Sequence, residues 1–133
     1  MTLYVDSSAL LKRYVDEHDS DAAVELMTSD PVIVTSRITE IEVRRNLARL
    51  LDARSLDAAK RQFAVDLDAF ALMAVDSTIC NDAARIAEQT LCRSLDSIHL
   101  ASAARAGGST VVLTFDIRQA AMARSIGLSV VGC

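Results

Sequence analysis

Short, almost wholly apolar runs alternate along this chain with longer stretches whose apolar residues recur at helical spacing. Leu3-Tyr4-Val5, Val32-Ile33-Val34, Leu72–Val75, Thr110–Leu113 and Leu128–Val131 read as short strands. Between them lie seven segments that read as helices: Ala9–Val15, Ser20 to about Thr28, Ser36 to about Asp52, Ser55 to about Phe70, Thr78–Leu91, Ser94–Ala106, and Asp116 to Ile126. The punctuation agrees with this division. Asp16–Asp19 is a polar break, and Pro31 opens the second strand. Ser20 and Ser36 can each accept a hydrogen bond from a free first-turn amide, and Gly107-Gly108 is a helix stop. After Ser36, Val43, Leu47, Leu50 and Leu51 share one helix face. Strands separated by helices predict a parallel sheet with right-handed crossovers.

Two of the strands run straight into an acid. Val5 is followed by Asp6, and Val111–Phe115 by Asp116. The carboxyl edge of a parallel sheet is where open α/β folds build ligand sites. An unpaired buried charge is costly, so an acid there must be solvated, hydrogen-bonded or metal-bound. The helices bring more carboxylates. Glu40 and Glu42 lie about 200° apart on one helix, so only one of them can face a given site. Glu40 falls on the Val43–Leu47 stripe and Glu42 on the polar side with Arg45, Asn46 and Arg49; the pattern leaves both open. Asp96 sits in a first helical turn, where an acid also complements the helix dipole by ~0.3–1 kcal/mol. Asp76-Ser77-Thr78 reads as a helix cap rather than a ligand. Carboxylates converging on one point repel unless a cation intervenes, and an oxygen-only set selects Mg²⁺ or Mn²⁺ over zinc. His99, one turn after Asp96, reads as a packed or hydrogen-bonded helix residue, because a hard ion prefers oxygen. His18, in a charged loop, reads as solvent-facing.

Composition narrows the field. A chain of 133 residues suits one domain with an ordinary core. A net charge of −4 argues against broad, non-specific nucleic-acid binding while leaving room for a local basic rim. Cys80, Cys92 and Cys133 form no CxxC pair and read as reduced thiols. No leader-like segment precedes the first strand, and no apolar run approaches the roughly 18 residues of a membrane span, so the expected location is cytoplasmic. A dinucleotide-binding domain fails for want of GxGxxG. A phospho-receiver domain fails because Asp6 is followed by Ser7-Ser8 and no lysine occurs after Lys60.

Four blocks, in order, carry a resemblance to a known family: Val5-Asp6-Ser7-Ser8-Ala9-Leu10, Ser36-Arg37-Ile38-Thr39-Glu40-Ile41-Glu42-Val43, Leu95-Asp96-Ser97-Ile98-His99-Leu100-Ala101 and Leu113-Thr114-Phe115-Asp116-Ile117-Arg118. With Gly127 and the last strand, they make the chain resemble PIN-domain proteins, and among these the VapC toxins of bacterial toxin–antitoxin pairs, over essentially its whole length. The resemblance implies a single domain over residues 1–133, a three-layer α/β/α sandwich around a parallel sheet of about five strands. It implies Mg²⁺- or Mn²⁺-dependent endoribonuclease activity. It selects Glu42 over Glu40 and makes the acidic quartet Asp6, Glu42, Asp96 and Asp116 both catalytic and metal-holding. Ser7, Thr114 and Arg118 become candidate contacts to phosphate or to the ligating acids. Many relatives carry another acid two positions after the last aspartate; Arg118 stands there in this chain, which bears on how a second ion is held. Lys12, Arg13, Arg37, Arg45, Arg93 and Arg118 are the candidate RNA-facing cations. The likeness also implies a VapB-type antitoxin seated among the first three helices, near Leu10, Leu11, Tyr14, Leu47, Leu50 and Leu51, and a homodimer. The alternative is a PIN-fold RNA- or protein-binding module without catalysis.

Overall fold

The structure is a computed structural model that describes residues 2–29 and 32–133. Five parallel strands form one sheet: β1 (Thr2–Val5), β2 (Ile33–Ser36), β3 (Ala71–Met73), β4 (Thr110–Leu113) and β5 (Ser129–Val131), in the order β3-β2-β1-β4-β5. Among the described residues seven helices flank it: α1 (Ser7–Leu11), α2 (Ser20–Ser29), α3 (Arg37–Leu50), α4 (Ala53–Ala69), α5 (Ser77–Thr90), α6 (Ser94–Arg105) and α7 (Ile117–Ser125). This is the three-layer α/β/α arrangement that the family resemblance implies, built on the parallel sheet that the alternation of apolar runs predicts. Among the described residues no helix is long and apolar enough to cross a membrane.

Strand alternation sorts the core into two halves. Leu3, Val5 and Leu113 point to one side and pack with Leu10, Ala23, Met27, Val43, Leu47 and Phe63 from α1 to α4. Tyr4, Val34 and Val112 point to the other side, against Ala103 of α6. Helix α5 then packs on α6 through Ile79, Ala83 and Ala101.

The elements match the sequence pattern in kind and order, and they shift at several ends for physical reasons. The first helix begins at Ser7 rather than Ala9, because the Asp6 carboxylate accepts from the Ala9 amide and draws both serines into the first turn. It stops at Leu11, after which Lys12, Arg13 and Tyr14 turn through tight bonds to the carbonyls three residues back. Ser20 is not a cap: its hydroxyl folds back on the preceding loop, accepting from Glu17 N and donating to Val15 O. Asp52 does not end α3 but caps α4 through the Ser55 amide. Strand β2 runs beyond Val34 to Ser36, since the buried Thr35 and Ser36 pair with β3 and the Thr35 hydroxyl donates to Val5 O. Ser36 and Asp76 cap α3 and α5 as the sequence indicates. Leu50, placed by periodicity on the apolar face of α3, is 43% exposed. Pro31, read as opening the second strand, lies outside the described residues.

Candidate active site

The chain travels outward from β1 through β2 to β3, then returns to the far side of β1 to lay down β4 and β5. The reversal of strand order leaves a crevice between β1 and β4 at their carboxyl ends, the usual position of ligand sites in such sheets. Val5 lies beside Leu113 in register, so Asp6 and Thr114 emerge side by side. Asp6 N closes the edge by donating to Leu113 O at 3.2 Å.

A cleft of about 320 Å³ opens at this edge, and Asp6, Glu42, Asp96 and Asp116 all line it. They arrive from four separated segments. Asp6 caps α1, Asp116 caps α7, Asp96 lies in the first turn of α6 and Glu42 in the second turn of α3. Glu42, Asn46 and Arg49 face the cleft at helical spacing, while Glu40 lies outside it and pairs with Arg37 at 3.3 Å.

Each acid has a distinct environment. Asp6 is 4% exposed. Its Oδ1 accepts from Ser8 Oγ at 2.7 Å and Ala9 N at 3.0 Å, and its Oδ2 from the Thr114 hydroxyl. Burial pushes its pKa up against the opposing pull of His99, Thr114, Ala9 and Ser8. Glu42 shifts the other way: its burial is outweighed by the hydrogen bond and charge of His99, the Ser7 hydroxyl and the Arg93 charge. Both named bonds reach Oε1, from Ser7 Oγ at 2.5 Å and His99 Nε2 at 2.6 Å. Asp96 accepts from Arg93 Nε at 3.2 Å. Asp116 Oδ1 accepts from the amides of Arg118 at 2.9 Å and Gln119 at 3.3 Å.

Ser7 and Thr114 therefore hold acids directly, and Thr114 also accepts from Asp116 N at 3.1 Å. The Arg118 side chain is exposed and is not part of the cleft lining; its backbone amide is what meets Asp116. Of the six candidate cations, Lys12 and Arg93 line the cleft. Arg13 is engaged by Asp66, Arg37 by Glu40, and Arg45 is exposed outside the lining. The leucines of the first three helices are largely core: Leu10, Leu11 and Leu47 are buried, and Tyr14 and Leu51 pack against them.

Several neighbours escape a reading of the sequence. Arg49 lines the cleft with the Glu42 face. Gln119 lines it too, buried, with Nε2 donating to Asp96 O at 3.4 Å and Oε1 without a partner among the described residues. Its signal is a polar residue one turn before Ala123 on the buried stripe of α7. His99 is buried and hydrogen-bonded, as its helix position suggests, but its partners, Tyr4 at 2.7 Å, Glu42 at 2.6 Å and the Ser7 hydroxyl at 3.2 Å, come from distant segments.

The donor chemistry fits a hard divalent cation: the acids offer only oxygen, burial disfavours the ionised form of Asp6 where no cation compensates it, and Gln119 Oε1, without a partner among the described residues, is a further oxygen acceptor on the wall. As placed, no three His, Cys, Asp or Glu side chains among the described residues stand close enough to ligate one ion. Asp96 is occupied by Arg93, and Asp116 by the amides at the start of α7.

The PIN domain model matches residues 3–125. The chain is 34% identical over 134 aligned positions to ribonuclease VapC35 of Mycobacterium tuberculosis, covering 97% of this chain and 95% of that protein. Among solved structures, FitAcB from Neisseria gonorrhoeae superposes with a TM-score of 0.78 at 18% identity, covering 98% of this chain and 96% of that one. A toxin–antitoxin complex from Klebsiella pneumoniae gives 0.71 at 17% identity, covering 91% of each chain. The five-stranded parallel fold is thus shared with these two solved structures. The chain belongs to the PIN domain family, and its full-length similarity places it beside the VapC ribonucleases.

Proposed function

We infer that this protein is a Mg²⁺- or Mn²⁺-dependent endoribonuclease that acts as the toxin of a toxin–antitoxin pair. The observation that carries the reading is the convergence of Asp6, Glu42, Asp96 and Asp116 from four chain segments on one cleft, in a chain that resembles VapC35 along its length. These four residues would hold the cation, with Asp6 and Glu42 already fixed by neighbours on other elements. A hard divalent cation supplies charge neutralisation on the phosphodiester and activation of the attacking water. The chain's own part is to hold the acids in place and to receive the RNA backbone. Lys12, Arg49 and Arg93 ring the acids and offer positive charge to phosphate despite the negative whole. Lys12 lies 5.0 Å from the Phe115 ring centroid, which keeps its ammonium over the cleft wall. Ser7 and Thr114 act through Glu42 and Asp6.

A VapB-type antitoxin is the natural partner, by likeness to the Klebsiella toxin–antitoxin complex, and the family resemblance adds a homodimer as the active form. The second reading, a binding module without catalysis, draws on the Arg93–Asp96 pair and the capping role of Asp116, which leave two acids engaged elsewhere. One experiment separates the two. Asp6→Ala is expected to abolish Mg²⁺-dependent RNA cleavage and to relieve growth arrest on induction. Full toxicity of that variant at equal protein level would rule out the acid cleft as the cause, and carboxylate-independent Mn²⁺ titrations would favour the binding module.

A further inference from the structure

Three elements meet at one carboxylate oxygen, and a fourth stands behind them. Glu42 on α3 receives Ser7 from α1 and His99 from α6 on the same Oε1, and His99 is held from behind by Tyr4 of β1. An ionised carboxylate only accepts, so the His99 Nε2 carries the hydrogen whatever the charge of the ring. The opposite ring nitrogen, Nδ1, lies 2.7 Å from the Tyr4 hydroxyl, and the two rings meet edge to face with centroids 6.0 Å apart. Tyr4 is fully buried and His99 nearly so, which leaves neither ring room to swing. Oε2 of Glu42 has no hydrogen-bond partner among the described residues, and Glu42 lines the cleft.

We propose that Tyr4 and His99 form a positioning relay that fixes the Glu42 carboxylate by Oε1 and presents Oε2 to the cation in the cleft. The proposal rests on the nuclease reading above. It assigns His99 no ligation and no proton transfer, and it explains why an imidazole sits beside an oxygen-only site. The strand that leads into Asp6 also orients Glu42 through Tyr4, so one four-residue strand sets two of the four acids. Partners behind a ligand typically change metal affinity or activity by about 10–100-fold when removed.

The test uses the full chain and three substitutions. His99→Leu is expected to weaken Mn²⁺ binding, measured calorimetrically, by ~10-fold or more, and to lower kcat for RNA cleavage by a similar factor with KM changed less than ~2-fold. His99→Gln keeps a side-chain N–H within reach of Oε1 and is expected to recover most of both. Tyr4→Phe, which removes one hydroxyl from the core, should fall between them. Nitrogen-15 NMR of the wild-type imidazole is expected to show a hydrogen on Nε2. A folded His99→Leu with wild-type Mn²⁺ affinity and kcat overturns the proposal, as does an Nε2 without hydrogen. Wild-type protein that neither binds Mn²⁺ nor cleaves RNA overturns the nuclease reading instead, and the NMR measurement, which needs neither ligand, still decides whether His99 donates to Glu42.

Discussion

Two buried aspartates in this molecule have opposite electrostatics. Asp6 is 4% exposed and Asp66 is 7% exposed, so water is nearly absent from both. Asp66, on α4, is met by Arg13 Nε at 2.8 Å, the Tyr14 hydroxyl at 2.6 Å and Gln62 Nε2 at 3.0 Å. Burial alone would raise its pKa, but these donors, led by the guanidinium, outweigh burial and hold the carboxyl below its ordinary range. Asp6 receives two hydroxyls and one amide, all neutral, with His99 as the opposing positive influence; burial wins and the pKa rises. One carboxylate is already matched by a cation within the chain. The other is disfavoured as a charged group by its burial, and a cation from solution would favour its ionised form. The first is a lock between the turn after α1 and α4; the second is the strand-end acid of the cleft.

Substitution at these two positions should separate catalysis from stability. Asp6→Asn keeps an Asx cap for Ala9 N and removes a poorly compensated charge, so Tm should hold or rise while RNA cleavage falls by at least ~100-fold. A parallel fall in Tm would erase the distinction between the two sites. Asp66→Asn should do the reverse, costing about 2 kcal/mol and lowering Tm by roughly 5–10 °C, with cleavage retained below the transition. Its pH signature sharpens the contrast. Because the folded pKa of Asp66 lies below the unfolded value, its contribution is full above the ordinary carboxylate range and disappears as pH falls through the folded pKa. Denaturant midpoints of wild type and Asp66→Asn should therefore converge on acidification. Asp6, with its raised pKa, contributes in the opposite sense and weakens the fold as pH rises through its folded value.

Two backbone positions give smaller effects. Gly132 has φ +107°, and a Cβ there would collide with the Thr114 carbonyl oxygen. Gly132→Ala should cost about 1–2 kcal/mol and, because Thr114 holds Asp6, lower cleavage more than the stability loss accounts for. Leu91, the C-cap of α5, has φ +59° and is 86% exposed. Leu91→Gly loses no packing and relieves the left-handed strain, so chemical denaturation should show a gain of about 1 kcal/mol with unchanged cleavage.

These contrasts also mark how far a sequence can be read. The layer order was legible because apolar runs of two lengths alternate, and Asp6 and Asp116 stood out because a strand ending in an acid breaks the local pattern. Glu42 was not separable from Glu40 by periodicity, since both fit an amphipathic helix; family likeness chose, and the fold puts Glu42 in the cleft. The Tyr4–His99–Glu42 chain was out of reach, because it joins residues 95 and 57 positions apart through side-chain directions that only packing sets. Asp66 left a trace that is easy to pass over: an acid three residues after the buried Phe63, on the stripe that faces the core.

Tyr4 and Tyr14 are the two tyrosines of a chain without tryptophan. One lies behind Glu42 and the other on Asp66, so each compared region carries a native fluorophore. Replacing Tyr14 by Phe would leave an unlabelled protein whose ultraviolet emission comes from a single ring at the back of the cleft, a built-in optical probe of what enters it.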